Sequence, residues 1–323
     1  MKKQILDQIA EGYIPTRDEA LMMMESNDIP LKELICAAKA ITKKHCGNQV
    51  KMCAIYAAKV GTCSGDCAFC AQSVHHNCDV HIVKIGDICS DEIVGHAVKL
   101  QKYGVERFSL VTSGERLSDL EFAHIVQIYQ RLHNETSIGL CASLGSLDKQ
   151  RAQDLVQCGV TRYHHNIETA PSFFSQICST HSYADKLETI HIARAAGMEI
   201  CSGGIISMGE TPQQRIEMAY ALKELNVDCV PINILNPIAG TRLEHQPLLS
   251  IDQILRTIAM FRIIMPDKTL CFAGGRQNAM GKDEYAGYEA GINALIAGDF
   301  LTTQGKDLEE ELSNLTALGC IER

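Results

Sequence analysis

The feature that most constrains this chain's fold is a repeated alternation of β-rich and helical stretches. From about residue 50 onward, a short run of β-formers is followed by a polar or glycine-containing loop and then by an amphipathic helical stretch. Eight such runs lie near 51–58, 106–112, 137–143, 160–167, 199–206, 228–234, 269–273 and 292–296, with helical stretches at 91–103, 119–133, 149–158, 183–196, 212–225 and 251–264 between them. Strands joined through helices pair in parallel. Six to eight strands satisfy the pattern, and eight units over about 250 residues fit a closed (β/α)8 TIM barrel better than an open sheet. Residues 1–50 read as an N-terminal helical extension. There Thr16-Arg-Asp-Glu19 forms a capping box, and Pro30 opens a run of helical spacing. No linker, low-complexity tract or charge run divides the chain. The expectation is one domain, with the helical segment at 1–50, the barrel at 51–300 and a tail at 301–323 made of a short helix and a turn.

Active sites on this fold form where strands end and loops begin. The loop after the first run is Cys63-Ser-Gly-Asp-Cys67-Ala-Phe69-Cys70. Three thiolates this close can hold three corners of a cubane iron-sulfur cluster and leave the fourth iron without a protein ligand. Structural zinc is the main rival, but it wants four protein ligands, usually as two pairs, and no second pair follows. Three unrelated cysteines are the bland alternative in a chain with 15 Cys. That many cysteines in a long chain rich in ordinary core residues points to reduced thiols and metal rather than a disulfide framework. The formal charge of −9 offers no basic field for nucleic acid. The chain's start lacks the apolar segment of a signal peptide, and no window reaches the roughly 18 apolar residues of a membrane span. A cytoplasmic protein with no membrane partner is expected.

The CxxxCxxC spacing with an aromatic before the last Cys resembles the signature of the radical S-adenosylmethionine (SAM) enzymes. The resemblance implies a 4Fe-4S cluster on Cys63, Cys67 and Cys70 whose open iron is chelated by the amino and carboxylate groups of SAM. It places Phe69 beside the adenine. Reduction of the cluster would cleave SAM to a 5'-deoxyadenosyl radical.

Four further blocks are similar, in order and spacing, to those of the biotin synthase family. They are Arg162-Tyr-His-His-Asn-Ile-Glu-Thr169, Cys201-Ser-Gly-Gly-Ile-Ile-Ser-Met-Gly-Glu-Thr211, Val230-Pro-Ile-Asn233 with Pro237-Ile-Ala-Gly-Thr241, and Ala273-Gly-Gly-Arg276. The match runs from about residue 30 to the C-terminus. It implies sulfur insertion that converts dethiobiotin to biotin after hydrogen abstraction from carbons 9 and 6. It implies that Ser113, Gly114 and Glu115 meet the SAM amino group and that Glu168 meets the ribose; read alone, residues 112–115 are a generic polar turn. His181 stands where the family has an Arg for the SAM carboxylate, and a neutral imidazole gives one donor rather than a fork. Ser207 stands where Gly is usual. Asn166 and Asn233 match contacts to the cyclic urea of the substrate, and His164 replaces a third Asn. On their own, such Asn residues are more often loop staples. His75, His76 and His81 read as solvated, and Arg276 and Gln277 as residues that orient a strand end.

The family's auxiliary cluster is 2Fe-2S, held by three Cys and one Arg. Here Ser109 stands at one Cys position, Cys141 and Cys201 match, and Cys271 replaces the Arg. Serine oxygen is a poor iron ligand beside thiolate. Three thiolates without a fourth donor suit a second four-iron cluster, with an extra sulfide on its open iron. Cys36, Cys46, Cys53, Cys78, Cys89, Cys158, Cys178, Cys229 and Cys320 read as core or spare thiols. The resemblance further implies a homodimer and an electron donor such as flavodoxin or ferredoxin. A related radical SAM barrel with another substrate and a non-catalytic iron-sulfur carrier remain open readings at this level.

Overall fold

The computed structural model of the chain describes residues 2–26, 28–298 and 305–321. Its centre is a parallel sheet of strands β1 (Lys51–Lys59), β2 (Arg107–Thr112), β3 (Gly139–Ser143), β4 (Val160–His164), β5 (Glu199–Cys201), β6 (Gly204–Ile206), β7 (Cys229–Ile234), β8 (Thr269–Phe272) and β9 (Ala294–Ala297). β1 pairs with both β2 and β9, and β7 pairs with both β5 and β6, so the sheet closes on itself. β5 and β6 share one place, which gives the eight positions of a (β/α)8 TIM barrel. Every expected run holds a strand.

The 199–206 run is broken at Ser202 and Gly203, a feature the sequence pattern hides. There the backbone leaves the ladder: Ser202 N donates to the Cys229 carbonyl and Gly203 N to Asn166 Oδ1. A Cβ on Gly203 would lie 2.0 Å from the Pro231 carbonyl oxygen, so only glycine lets β7 approach this closely.

The six expected helices are present, and several begin on reciprocal caps. Thr16, Ser118, Ser182, Thr211 and Ser250 each accept from the N3 backbone while the N3 side chain accepts from the cap's own N–H. Each cap is worth about 1 kcal/mol. The N-terminal helix Leu31–Cys46 packs on helix Ile251–Ile264, whose residues are buried almost throughout. At the other end, helix Leu308–Ala317 starts on Asp307 and buries Glu311, Leu312 and Leu315. Residues 301–304 and 322–323 of the expected tail lie outside the described residues. No helix among the described residues is long and apolar enough to cross a membrane.

Side chains alternate across each strand. Arg107, Ser109 and Val111 therefore share an inward face, as do Cys141 and Ser143, Arg162 and His164, Cys229, Pro231 and Asn233, and Cys271 and Ala273. All of these line one cavity of about 410 Å³. Strand register sets Cys141 beside Ser109 and Arg162, Cys201 beside His164 and Cys229, and Cys271 beside Pro231.

Candidate active site

The three-cysteine loop leaves β1 and is braced from several sides. Cys63 N donates to the Gln72 carbonyl, Val74 N to the Cys63 carbonyl and Cys70 N to the Cys67 carbonyl. Gln72 Oε1 accepts from Gly61 N, and Ser73 Oγ donates to the Gly65 carbonyl. The Asp66 carboxylate reaches away to residues 178–180, accepting from the backbone N–H and hydroxyl groups of both Ser179 and Thr180. These bonds, the Ser179 hydroxyl first, hold its carboxyl well below the usual carboxylate range. Arg242 Nη2 donates to the Asp66 and Ile177 carbonyls, tying the loop to the segment after β7.

Two of the histidines expected to be solvated touch this loop. His76 Nδ1 lies 2.8 Å from the Cys70 carbonyl and His75 Nε2 lies 3.0 Å from the Ser64 carbonyl. Neither carbonyl can donate, so each ring nitrogen carries its proton there. Cys178, expected to be a spare thiol, sits 3.8 Å from Cys67 Sγ and 3.3 Å from His181 Nδ1. Cys67, Cys178 and His181 converge closely enough to share a metal. Burial pushes the Cys67 thiol above its ordinary range and Cys70 up to about 11. These thiols become thiolates only with a cation beside them, which is what iron supplies.

The cavity runs from this loop into the barrel. Phe69 and Cys70 line it, as do His164, Asn166, Glu168, Asn233, Cys141, Cys201 and Cys271. Cys63, Cys67, Ser113, Gly114, Glu115 and His181 stand outside its lining. Ser113 is buried with Oγ donating to the Gly61 carbonyl, while Glu115 is exposed. Burial lowers the pKa of His181. Glu168, four residues beyond β4, has φ +67 and bridges to Gly204. Burial raises its pKa, opposed by Lys186 and by a hydrogen bond with Asn166.

The two amides also serve as staples. Asn166 Oδ1 accepts from Gly203 N; Asn233 Oδ1 accepts from Gly274 N while its Nδ2 donates to the Gly204 carbonyl. This fixes their planes toward the cavity and leaves each amide a share of its hydrogen-bonding capacity. Ser207 holds φ +76, the left-handed region where glycine is at ease. Its backbone N–H and that of Met208 donate to the Glu210 carboxylate, which Arg215 neutralises. Arg276 is buried between Glu284 and Glu311 and donates to the Phe272, Ala273 and Ile296 carbonyls, which orients the end of β8.

Deeper in, thiols gather. Cys53, Cys141, Cys201, Cys229 and Cys271 all line the cavity. Cys229 and Cys271 pack together with Ala294, and Cys201 packs against them. The neighbouring Cys201 and Cys271 thiols hold the Cys229 thiol below its ordinary range. The nearby Cys229 and burial push Cys201 and Cys271 up. His164 Nδ1 lies 3.3 Å from Cys201 Sγ, and burial lowers His164 to about 4, so it is a neutral ring. Arg107 Nη1 lies 3.9 Å from Cys141 Sγ, and Arg107 and Arg162 share Glu199. Ser109 is buried, with Oγ 3.4 Å from the Leu110 carbonyl. Soft thiols in a largely apolar chamber suit iron and sulfide. Cys229 and Cys53, read as spare from sequence, share this chamber. The available signal was parity, since Cys229 lies four residues before Asn233 on one strand.

The comparisons with known proteins bear on the family and the fold. The radical SAM superfamily matches residues 59–222, and the Biotin and Thiamin Synthesis associated domain matches residues 231–321. Biotin synthase of Acetivibrio thermocellus is 45% identical over 313 residues, covering 97% of this chain and 97% of the relative. That of Heliobacterium modesticaldum is 46% identical over 310 residues, covering 95% and 94%. Among solved structures, methylornithine synthase superposes with a TM-score of 0.84 at 18% identity over 98% of this chain and 97% of the other. The FeFe-hydrogenase maturase of Carboxydothermus hydrogenoformans superposes with a TM-score of 0.82 at 17% identity over 98% and 78%. Those two likenesses speak for the fold, while the matches in sequence go further: the chain belongs to the biotin synthase family of radical SAM enzymes.

Proposed function

We propose that this chain inserts sulfur into dethiobiotin with Cys63, Cys67 and Cys70 holding the SAM-binding 4Fe-4S cluster and with inner-barrel thiols holding a second, four-iron cluster. When bound, the first cluster with SAM supplies a 5'-deoxyadenosyl radical and the second supplies the sulfur atom. The observation that carries the reading is the single cavity joining Phe69 and Cys70 at the loop to Cys201 and Cys271 inside the barrel.

The protein's part is to hold and orient. Asp66 and Arg242 clamp the loop that carries the three thiols. Phe69 packs against the adenine, Glu168 binds the ribose diol, and Ser113, Gly114, Glu115 and His181 serve the amino and carboxylate groups of SAM. Asn166, Asn233 and His164 hold the cyclic urea, each able to donate or accept. Fixing both reactants in one chamber supplies the proximity that hydrogen abstraction needs, and no general base is required. Cys201 and Cys271 would hold the second cluster, with Cys141 the third donor that the resemblance implies, and that cluster would supply the sulfur that is inserted. The same resemblance extends to a cytoplasmic homodimer that draws electrons from flavodoxin or ferredoxin.

Iron and sulfide analysis of anaerobically reconstituted protein, with Mössbauer spectra, tests the cluster assignment. About eight irons per chain, with sulfide exceeding iron, is expected for two four-iron clusters. About six irons would contradict it in favour of a 2Fe-2S auxiliary cluster.

A further inference from the structure

We propose that Cys229 is an iron ligand of the auxiliary cluster and that Cys201, Cys229 and Cys271 are the thiolates that anchor it. This rests on the reading of the barrel interior as a cluster site, and it assigns a ligand that neither the sequence pattern nor the resemblance picks out.

Three observations carry it. First, β5, β7 and β8 are consecutive positions around the barrel, and register places Cys229 directly beside Cys201. Second, Cys229 and Cys271 are buried together, with Cys201 packed on them, in a small group set apart from the main hydrophobic core. Third, Cys229 shares its inward face with Pro231 and Asn233, so its sulfur points into the chamber that also holds Asn233. The other two inward thiols are placed differently. Cys141 lies on β3 with the Arg107 guanidinium against it, and Cys53 lies on β1 in register with Arg107 and Ile296. A free thiol in contact with two iron ligands would compete for the same metal, since a thiol is as soft a donor as either. Three thiolates holding three irons leave the fourth iron open, so Cys229 takes the third place that the resemblance gives to Cys141.

The test compares wild type, Cys229→Ser and Cys53→Ser after anaerobic reconstitution, by iron count, sulfide count and Mössbauer spectrum. Cys229→Ser is expected to lose the whole auxiliary complement and keep about four irons, those of the loop cluster. Cys53→Ser is expected to match wild type. Retention of the loop cluster's irons reports that the variant has folded, and Cys229→Ala is the second variant. The proposal is overturned if both Cys229 variants carry the iron and the spectrum of wild type. If wild type binds about six irons and Cys229→Ser about four, Cys229 stands as a ligand and the four-iron reading falls instead.

Discussion

Asp66 lies inside the three-cysteine loop, yet its carboxylate is committed to the segment beyond β4. It accepts from Ser179 N at 2.9 Å, Thr180 N at 3.1 Å, Ser179 Oγ at 2.5 Å and Thr180 Oγ1 at 3.1 Å. A hydrogen bond to a charged group contributes about 1.5–3 kcal/mol net when water is excluded. Water reaches this carboxylate, and the freed donors rehydrate once it is removed, so the four bonds together are worth far less than their sum. Asp66→Ala should therefore cost about 2 kcal/mol of stability in the cluster-free chain, and Asp66→Asn, which keeps one acceptor oxygen, about half of that. The pH dependence has a defined sign. The folded-state pKa is depressed, so the contribution is fully present above the unfolded value of about 4 and shrinks as pH falls through and below it. Urea unfolding followed by circular dichroism at pH 7 and pH 3.5 measures both effects. In reconstituted protein, the same variant should surrender loop-cluster iron to a chelator faster than wild type. An Asp66→Ala chain as stable as wild type at pH 7, or one whose deficit is unchanged at pH 3.5, would refute the clamp.

Three further outcomes are expected. Arg276→Met strands two buried carboxylates, Glu284 and Glu311, with Lys306 as the remaining cation, and should cost about 3–5 kcal/mol. Burial raises Glu311, so the folded state binds its proton more readily than the unfolded one; the deficit should widen from pH 5 to pH 8, and a flat profile in chemical denaturation would contradict this. Gly275 has φ +82, and a Cβ there would lie 1.7 Å from the Ile234 carbonyl oxygen. Gly275→Ala should cost about 3 kcal/mol from strain and crowding together, and a melting temperature equal to wild type would rule that out. Glu168→Ala should weaken SAM binding about tenfold by equilibrium dialysis of the reconstituted protein, the loss of one charge-assisted hydrogen bond; unchanged affinity would remove Glu168 from the ribose site.

The barrel was legible because each strand falls in a compact run and the runs alternate with helical stretches, several of which carry their own cap. The cap at Ser118 pairs with Glu121 and that at Thr211 with Gln214, and such local signals survive whatever the tertiary context does. The break between β5 and β6 was not legible, because it arises from the approach of the Pro231 carbonyl to Gly203 from another strand. The loop cysteines announced themselves by spacing along the chain. Cys178 and Cys229 could not, because their partners lie far away in sequence: Cys178 meets Cys67, and Cys229 meets Cys201 and Cys271. A cysteine in a strand looks the same whether it faces the core or a chamber. The staple role of Asn233, with Gly274 and Gly204 as partners, was foreseen as the alternative to substrate contact, and the residue that makes these bonds also lines the cavity.

The central claim is that a cluster inside this barrel donates sulfur to dethiobiotin. Its most direct test is to rebuild both clusters anaerobically with 34S-labelled sulfide, add dethiobiotin, SAM and a reductant, and weigh the products by mass spectrometry. The account predicts 34S-labelled biotin together with 5'-deoxyadenosine. Biotin without the label, or 5'-deoxyadenosine without biotin, would contradict it.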